Sequence, residues 1–352
     1  MTKSLTAAAA LLAATSFFAT AASARDQLRI VGSSTVYPFT TAVAEQFGKA
    51  NGGKTPVVES TGTGGGLKLF CAGVGAEHPD VANASRQIKK GEFEDCLKNG
   101  VKDIVELKVG IDGLVMANAK AGPALALTQE MIFKALAKDI PDADGKLVAN
   151  PNKTWKQVDA SLPDAKIEVL GPPPTSGTRD SFLELVMEKG AEKFPTLKAM
   201  KDEDKKNNTK NFEKVWKAVR EDGAWIDAGE NDNLIVQKLE ANPAAIGVFG
   251  YSFLEENTSK VKGASIGGVA PDYDTISTGK YPVARPLFIY VKKQHIGVIP
   301  GLKEFVTEYA SAKAIGEDGY LSNKGLVPLP QADRDAAAKT ASELPSMAGP
   351  SS

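Results

Sequence analysis

Three times in this chain an apolar run leads through a loop of small polar residues into a segment with helical spacing. The stretches are "RIVGSSTVYPF" from residue 29, "VVESTGTGGGLKLF" from 57 and "EVLGPPPTSGTRDSF" from 168. After the first loop Phe39, Val43 and Phe47 recur four apart. After the second, Leu67, Phe70, Cys71 and Val74 line one side, and after the third, Phe182, Leu183, Val186 and Met187 do so. Apolar residues at these intervals share one face of a helix. Strand, loop, helix repeated along a chain predicts an α/β protein rather than a sandwich or a bundle.

Each loop has a property that matters for chemistry. A helix start leaves backbone N–H groups unpaired and carries partial positive charge, so it attracts anions. Adjacent hydroxyls add donors, and glycine lets the backbone approach an oxyanion closely. Any one loop reads equally as an ordinary Ser or Thr cap with glycine punctuation. It is the repetition that predicts three junctions around one small tetrahedral anion. Arg86 in "NASRQ" and Arg179 in "SGTRD" each sit beside a small polar residue. Arginine binds phosphate-like oxygens through paired, charge-assisted hydrogen bonds, the competing reading being an ion pair with a carboxylate.

The first 24 residues read as a secretory leader, with Lys3, an apolar stretch from Ala7 to Phe18 and Ala22-Ser23-Ala24 at the cleavage positions. Removing residues 1–24 leaves 328 residues beginning at Arg25, more than one hydrophobic core usually organises, so two domains are expected. The full chain carries a formal charge of −1, and losing Lys3 makes it −2, which excludes a global field for nucleic acid or an anionic membrane. No later segment reads as a membrane helix, so no stable membrane insertion is expected. Cys71 and Cys96 are the only cysteines. In an oxidising compartment they pair as a disulfide, the alternative being two buried thiols.

Nucleotide and catalytic motifs fail residue by residue. "GTGGGLKL" lacks the glycine that a Walker loop needs before Lys68, and a dinucleotide fingerprint starting at Gly62 needs glycine where Leu67 stands. His78 and His295 are the only histidines; neither forms a metal-ligand pair or accompanies a G-x-S-x-G loop. No enzymatic activity, metal or cofactor is expected. Elsewhere, "DIVELKVGIDGLVMANA" reads as two consecutive strands bent at Gly110 and Gly113, "KAMKDEDKKNNTKN" as a solvated face or loop, and "TASELPSMAGPSS" as a fraying tail.

Taken in order, "IVGSSTVYPFTTAVAEQFG", "VVESTGTGGGLKLFCAG", "PTSGTRDSF", "PAAIGVFGYSFL" and "GLVPLP" resemble the periplasmic phosphate-binding proteins of Pst-type ABC importers, over nearly all of the mature chain. The resemblance implies a type II periplasmic-binding fold, two α/β lobes joined by two crossover strands near "GIDGLVMANA" and "YPVARPLFIYV". Lobe one would comprise 25–112 with 284–352, and lobe two 113–283. It further implies a monomeric periplasmic protein that gives inorganic phosphate to an inner-membrane ABC permease and its ATPase subunits. Carried over by position, Ser34 and Thr35 offer hydroxyls and Val36 a backbone N–H, Thr63 a hydroxyl with Gly64 beside it, and Ser176, Gly177 and Thr178 the third loop.

Two positions depart from the family pattern. Arg86 stands where relatives carry an aspartate that accepts the proton of hydrogen phosphate, and Pro172 where relatives often carry an arginine. The positive charge is therefore expected from Arg86 and Arg179. Asp112, Asp180, Asp232 and Glu59 are the candidate proton acceptors. Such an acceptor separates phosphate from sulfate, which has no proton to give. The competing functional readings are a binder of sulfate, molybdate or tungstate, and a secreted phosphatase.

Overall fold

The structure is a computed structural model that describes residues 25–51, 54–174, 176–229 and 232–350; the leader expected at 1–24 lies outside them. Thirteen strands are named along the described residues. They are β1 Arg29–Gly32, β2 Val57–Ser60, β3 Val81–Ala84, β4 Ile104–Ala119, β5 Ala126–Leu127, β6 Asp139–Pro141 and β7 Leu147–Ala149. Then come β8 Val169–Gly171, β9 Trp225–Asp227, β10 Ile246–Gly250, β11 Val261–Gly263, β12 Ser265–Ile266 and β13 Ala284–Lys292. Nine of these form one sheet in the order β2-β1-β3-β13-β4-β10-β8-β9, with β11 also on β4.

The two ends of this sheet are parallel and its middle is antiparallel. β1 pairs in parallel with β2 and β3, and β8 pairs in parallel with β9 and β10. Between them β13 runs antiparallel to β4 from Ala284 against Gly113 to Lys292 against Ile104. The far end of β4, Leu114 to Ala117, pairs with β10. Thus β4 and β13 are the strands through which one half-sheet passes into the other. β4 is one continuous strand of 16 residues rather than the two expected. Its glycines serve close approach: a Cβ on Gly110 would lie 2.4 Å from Leu326 Cδ1, and one on Gly113 would lie 3.1 Å from Ile276 Cγ2.

The cores follow the half-sheets. One gathers buried apolar residues from Leu114 to Val283, with Ile111, Val327 and Leu329 added from outside that range. A second joins residues of Leu28–Val109 to those of Leu287–Leu344, for example through the edge-to-face pair Phe47 and Phe305. A third, smaller core surrounds the disulfide that joins Cys71 to Cys96. Their sequence separation of 25 sets an expected loss of about 3.5 kcal/mol when both become serine, from the freed loop entropy. Urea unfolding of oxidised wild type against the double variant checks it; equal midpoints would contradict it.

Of two local expectations, one is decided between its alternatives and one is corrected. The charged stretch forms a helix, Pro195–Asn207, because proline opens its first turn and Leu197 and Asp204 are buried. Asp204 then accepts the Phe212 N–H at 2.7 Å, tying that helix to the next. The tail does not fray at residue 340: its helix, Gln331–Glu343, buries Ala337 and Ala341. Beyond it the Met347 N–H bonds the Ile104 carbonyl at 2.8 Å and Met347 packs on the disulfide core.

Candidate functional site

The loops at 33–36, 61–62 and 85–87 all leave the carboxyl ends of the parallel strands β1, β2 and β3, and the loop at 172–176 leaves the carboxyl end of β8. Ligands of open α/β sheets bind at such ends. The first loop is fixed by backbone geometry. Gly32 has φ +136°, and a Cβ there would stand 2.2 Å from the Asn83 carbonyl oxygen, so only glycine lets β1 bend against β3. The Ser33 N–H then bonds that carbonyl at 3.0 Å, and the helix Tyr37–Asn51 begins with Pro38 in its first turn.

Glycine also brings the second loop onto the first. A Cβ on Gly66, in the helix Thr63–Phe70, would lie 2.3 Å from Gly32 Cα. Thr63 Oγ1 accepts the Ser85 N–H at 3.1 Å and lies 3.1 Å from Ser85 Oγ, which ties this helix start to the end of β3. Gly64 sits nearby, its Cβ direction 3.9 Å from an Arg86 nitrogen.

The third loop arrives from the other half of the sheet. Ser176 caps the helix Gly177–Phe182 by accepting the Thr178 N–H at 3.2 Å; Thr175 lies outside the described residues. A Cβ on Gly177 would come within 2.5 Å of the Ser34 carbonyl oxygen and 2.7 Å of Thr35 Cα, so the two loops touch backbone to backbone. Ser34 Oγ donates to Asp180, and Thr35 Oγ1 donates to the Gly177 carbonyl at 3.2 Å. Val36 is buried, and its N–H makes a long bond of 3.4 Å to Ser33 Oγ.

The arginines sort differently from the expectation. Arg86 grips Glu92 with both terminal nitrogens, at 2.9 and 2.8 Å. Burial pushes the Glu92 carboxyl up, but the Arg86 bonds and the Lys89 N–H outweigh it and hold it below the ordinary carboxylate range. Arg179 is buried with its guanidinium 4.3 Å from the Trp225 ring centre and 3.7 Å from Asp227. Burial lowers its pKa, opposed by Asp227 and Asp180.

A third arginine, which sequence reading passed over, occupies the junction. Arg285 on β13 donates to Thr35 Oγ1 at 3.0 Å and to Ser181 Oγ at 2.9 Å. Ser181 in turn donates to Asp112 on β4 at 2.6 Å, and Asp112 stands opposite Arg285 in the strand register. Glu184 pairs with Arg285 from the more exposed side. A trace was present in the sequence: "VARPLFIYV" is a charged residue in an otherwise apolar strand, a placement that burial permits only with partners. Of the acids expected to accept a proton, Asp112 and Asp180 lie here. Glu59 pairs instead with Arg29 at 2.8 Å, and the Asp232 side chain lies outside the described residues.

The histidines stand apart from these loops. His295 pairs with Asp80 at 2.6 Å, and His78 lies 3.3 Å from Glu77. Among the described residues no three metal-ligating side chains cluster, and no helix is long and apolar enough to cross a membrane.

Comparison with known proteins decides the family. The PBP superfamily domain matches residues 19–313. A phosphate-binding protein PstS of Staphylococcus haemolyticus is 31% identical over 299 residues, 83% of this chain and 79% of that one. The chain belongs to the PstS-like phosphate-binding proteins. Protein SphX of Synechococcus elongatus is 35% identical over 306 residues, 85% of this chain and 76% of its own. A solved structure described as a possible phosphate binding protein from Planctomyces limnophilus superposes with a TM-score of 0.71 at 30% identity, covering 90% of this chain and 98% of that one. The PstS-like chain therefore has the α/β type II periplasmic-binding fold expected of it.

Proposed function

We propose that this protein captures inorganic phosphate between two lobes, 25–112 with 284–352 and 113–283, and delivers it to an ABC importer. The observation that carries this reading is the meeting of Ser34 and Thr35 with Gly177 and Ser181, from opposite half-sheets, around the buried Arg285. Hydroxyls, helix-start N–H groups and a guanidinium are the donor set that an oxyanion needs. The protein makes and breaks no covalent bond. It works as an exported monomer whose leader, 1–24, is removed, and its partners are an inner-membrane permease and the ATPase subunits that drive reopening. Anion binding shifts the lobes toward closure by its higher affinity for the closed state.

Asp180 and Asp112 supply the carboxylate that tells hydrogen phosphate from sulfate, because each already accepts a hydroxyl hydrogen bond at the loops. Titration calorimetry on anion-stripped protein is expected to give one phosphate per chain and weak sulfate competition. Thr63→Ala should cost about tenfold in phosphate affinity, roughly 1.4 kcal/mol. Comparable affinity for sulfate, molybdate or tungstate would replace the phosphate reading with the general oxyanion one. Turnover of phosphate esters that a site variant abolishes would instead favour a phosphatase.

A further inference from the structure

Resting on the phosphate reading, we propose that Arg285 is the charged ligand of the anion and that the anion displaces Glu184 from it. A dianion enclosed between two lobes needs a positive group that is desolvated, aimed at the donor loops and free to exchange partners. Arg86 fails this test because Glu92 engages both of its terminal nitrogens. Arg179 is as buried and its Nε too lacks a partner among the described residues, but its guanidinium lies 4.3 Å from the Trp225 ring centre and its one hydrogen bond among those residues goes to the Pro172 carbonyl at 3.5 Å, not to a hydroxyl of the loops.

Arg285 meets all three conditions. Its side chain is 9% exposed, and it touches the first loop through Thr35 and the third loop's helix through Ser181. Its Nε is buried without a hydrogen-bond partner among the described residues, the Asp112 carboxylate being 3.6 Å away. Among the described residues the one carboxylate hydrogen-bonded to its guanidinium is Glu184, whose side chain is 50% exposed. Glu184 can therefore leave for water at little cost, whereas Asp112, with a side chain 15% exposed, stays to orient Ser181. Arg285 lies on β13 opposite Asp112 on β4, the strand that pairs with β13 along its first part and with β10 along its last. A ligand held there is held at the hinge, and its charge is sensed by both lobes.

Phosphate calorimetry on wild type, Arg285→Met, Arg285→Lys and Glu184→Gln tests the assignment. Arg285→Met should weaken phosphate binding at least tenfold, with Arg285→Lys intermediate, since an ammonium keeps the charge but not the planar fork. Glu184→Gln should strengthen binding about threefold or more, because the competing carboxylate is gone. A general field effect of Glu184 would give the same gain in the Arg285→Lys background, whereas displacement from the guanidinium predicts a smaller gain there. If Arg285→Met does not fold, the Glu184→Gln result decides: a gain supports the assignment and an unchanged affinity overturns it. Wild-type binding that Arg285→Met leaves intact overturns this assignment alone and leaves the phosphate reading standing. A wild type that binds no phosphate overturns both.

Discussion

Gly177→Ala is expected to weaken phosphate binding at least a hundredfold, about 2.7 kcal/mol, while leaving the fold intact. The added methyl would lie 2.5 Å from the Ser34 carbonyl oxygen and 2.7 Å from Thr35 Cα, and neither backbone atom can rotate away. Relief requires the first and third loops to separate. That separation breaks the Ser34–Asp180 and Thr35–Gly177 bonds and draws Thr35 away from Arg285. Alanine is a better helix former than glycine, so the helix Gly177–Phe182 loses no intrinsic stability, and a fall in affinity cannot be put down to its unfolding. Calorimetry gives the affinity, urea unfolding shows whether each half keeps its stability, and small-angle scattering should report a larger radius with phosphate present. Affinity within threefold of wild type would show that closure does not bring these loops together.

The largest stability effect is expected at the opposite end of the same strands. Asp80 precedes β3, and its fully buried carboxylate accepts from the Arg29 N–H at 2.8 Å and from Arg25 at 2.5 Å, and meets His295 Nδ1 at 2.6 Å. Lys292 is 0% exposed nearby, bonded to the Gly73 carbonyl at 2.6 Å and 4.9 Å from the Phe70 ring centre. Asp80→Ala strands these partners without a counter-charge, which costs about 3 to 5 kcal/mol for a broken buried pair. Phosphate affinity should change by less than threefold, because the donor loops lie at the other ends of β1 and β3.

Lys292 gives this loss a pH signature. Burial pushes its pKa down from 10.5 to about 8, with Asp80 the foremost opposing influence. A depressed base costs nothing where it is neutral in both folded and unfolded chains, above its ordinary value. As pH falls toward the folded value, the unfolded chain takes up the proton more readily and stability drops. Removing Asp80 lowers the folded value further, so the deficit of Asp80→Ala should be larger at pH 7 than at pH 10. Urea midpoints of variant and wild type at the two pH values measure it; a deficit independent of pH would detach Lys292 from the Asp80 network.

How much of the site was legible depends on the distance over which each part is decided. The three strand-loop-helix junctions were legible because strand, turn and helix start are each set within about ten residues by apolar spacing, glycine and a capping hydroxyl. For the arginines beside the loops, which read equally as ion pairs, distant partners decide the geometry. Arg86 sits among small polar neighbours, yet Glu92 six positions on captures it, and Arg179 turns to Trp225 rather than to the loop it follows. The charged stretch at 198–211 reads as a solvated face or loop, and only the burial of Leu197 and Asp204 against neighbouring segments decides for the solvated face of a helix.

The sequence by itself determined the α/β class, the three strand-loop-helix junctions, the cysteine pair and the likeness to phosphate-binding proteins, because these depend on local conformational preference and on ordered motifs. The tertiary structure alone decided which cation faces those loops. Arg285 bonds Thr35, 250 positions away, and Ser181, 104 positions away, across strands whose register places it opposite Asp112. A charge is aimed by the partners that desolvate and pair it, and when those come from both half-sheets no local pattern can record the aim.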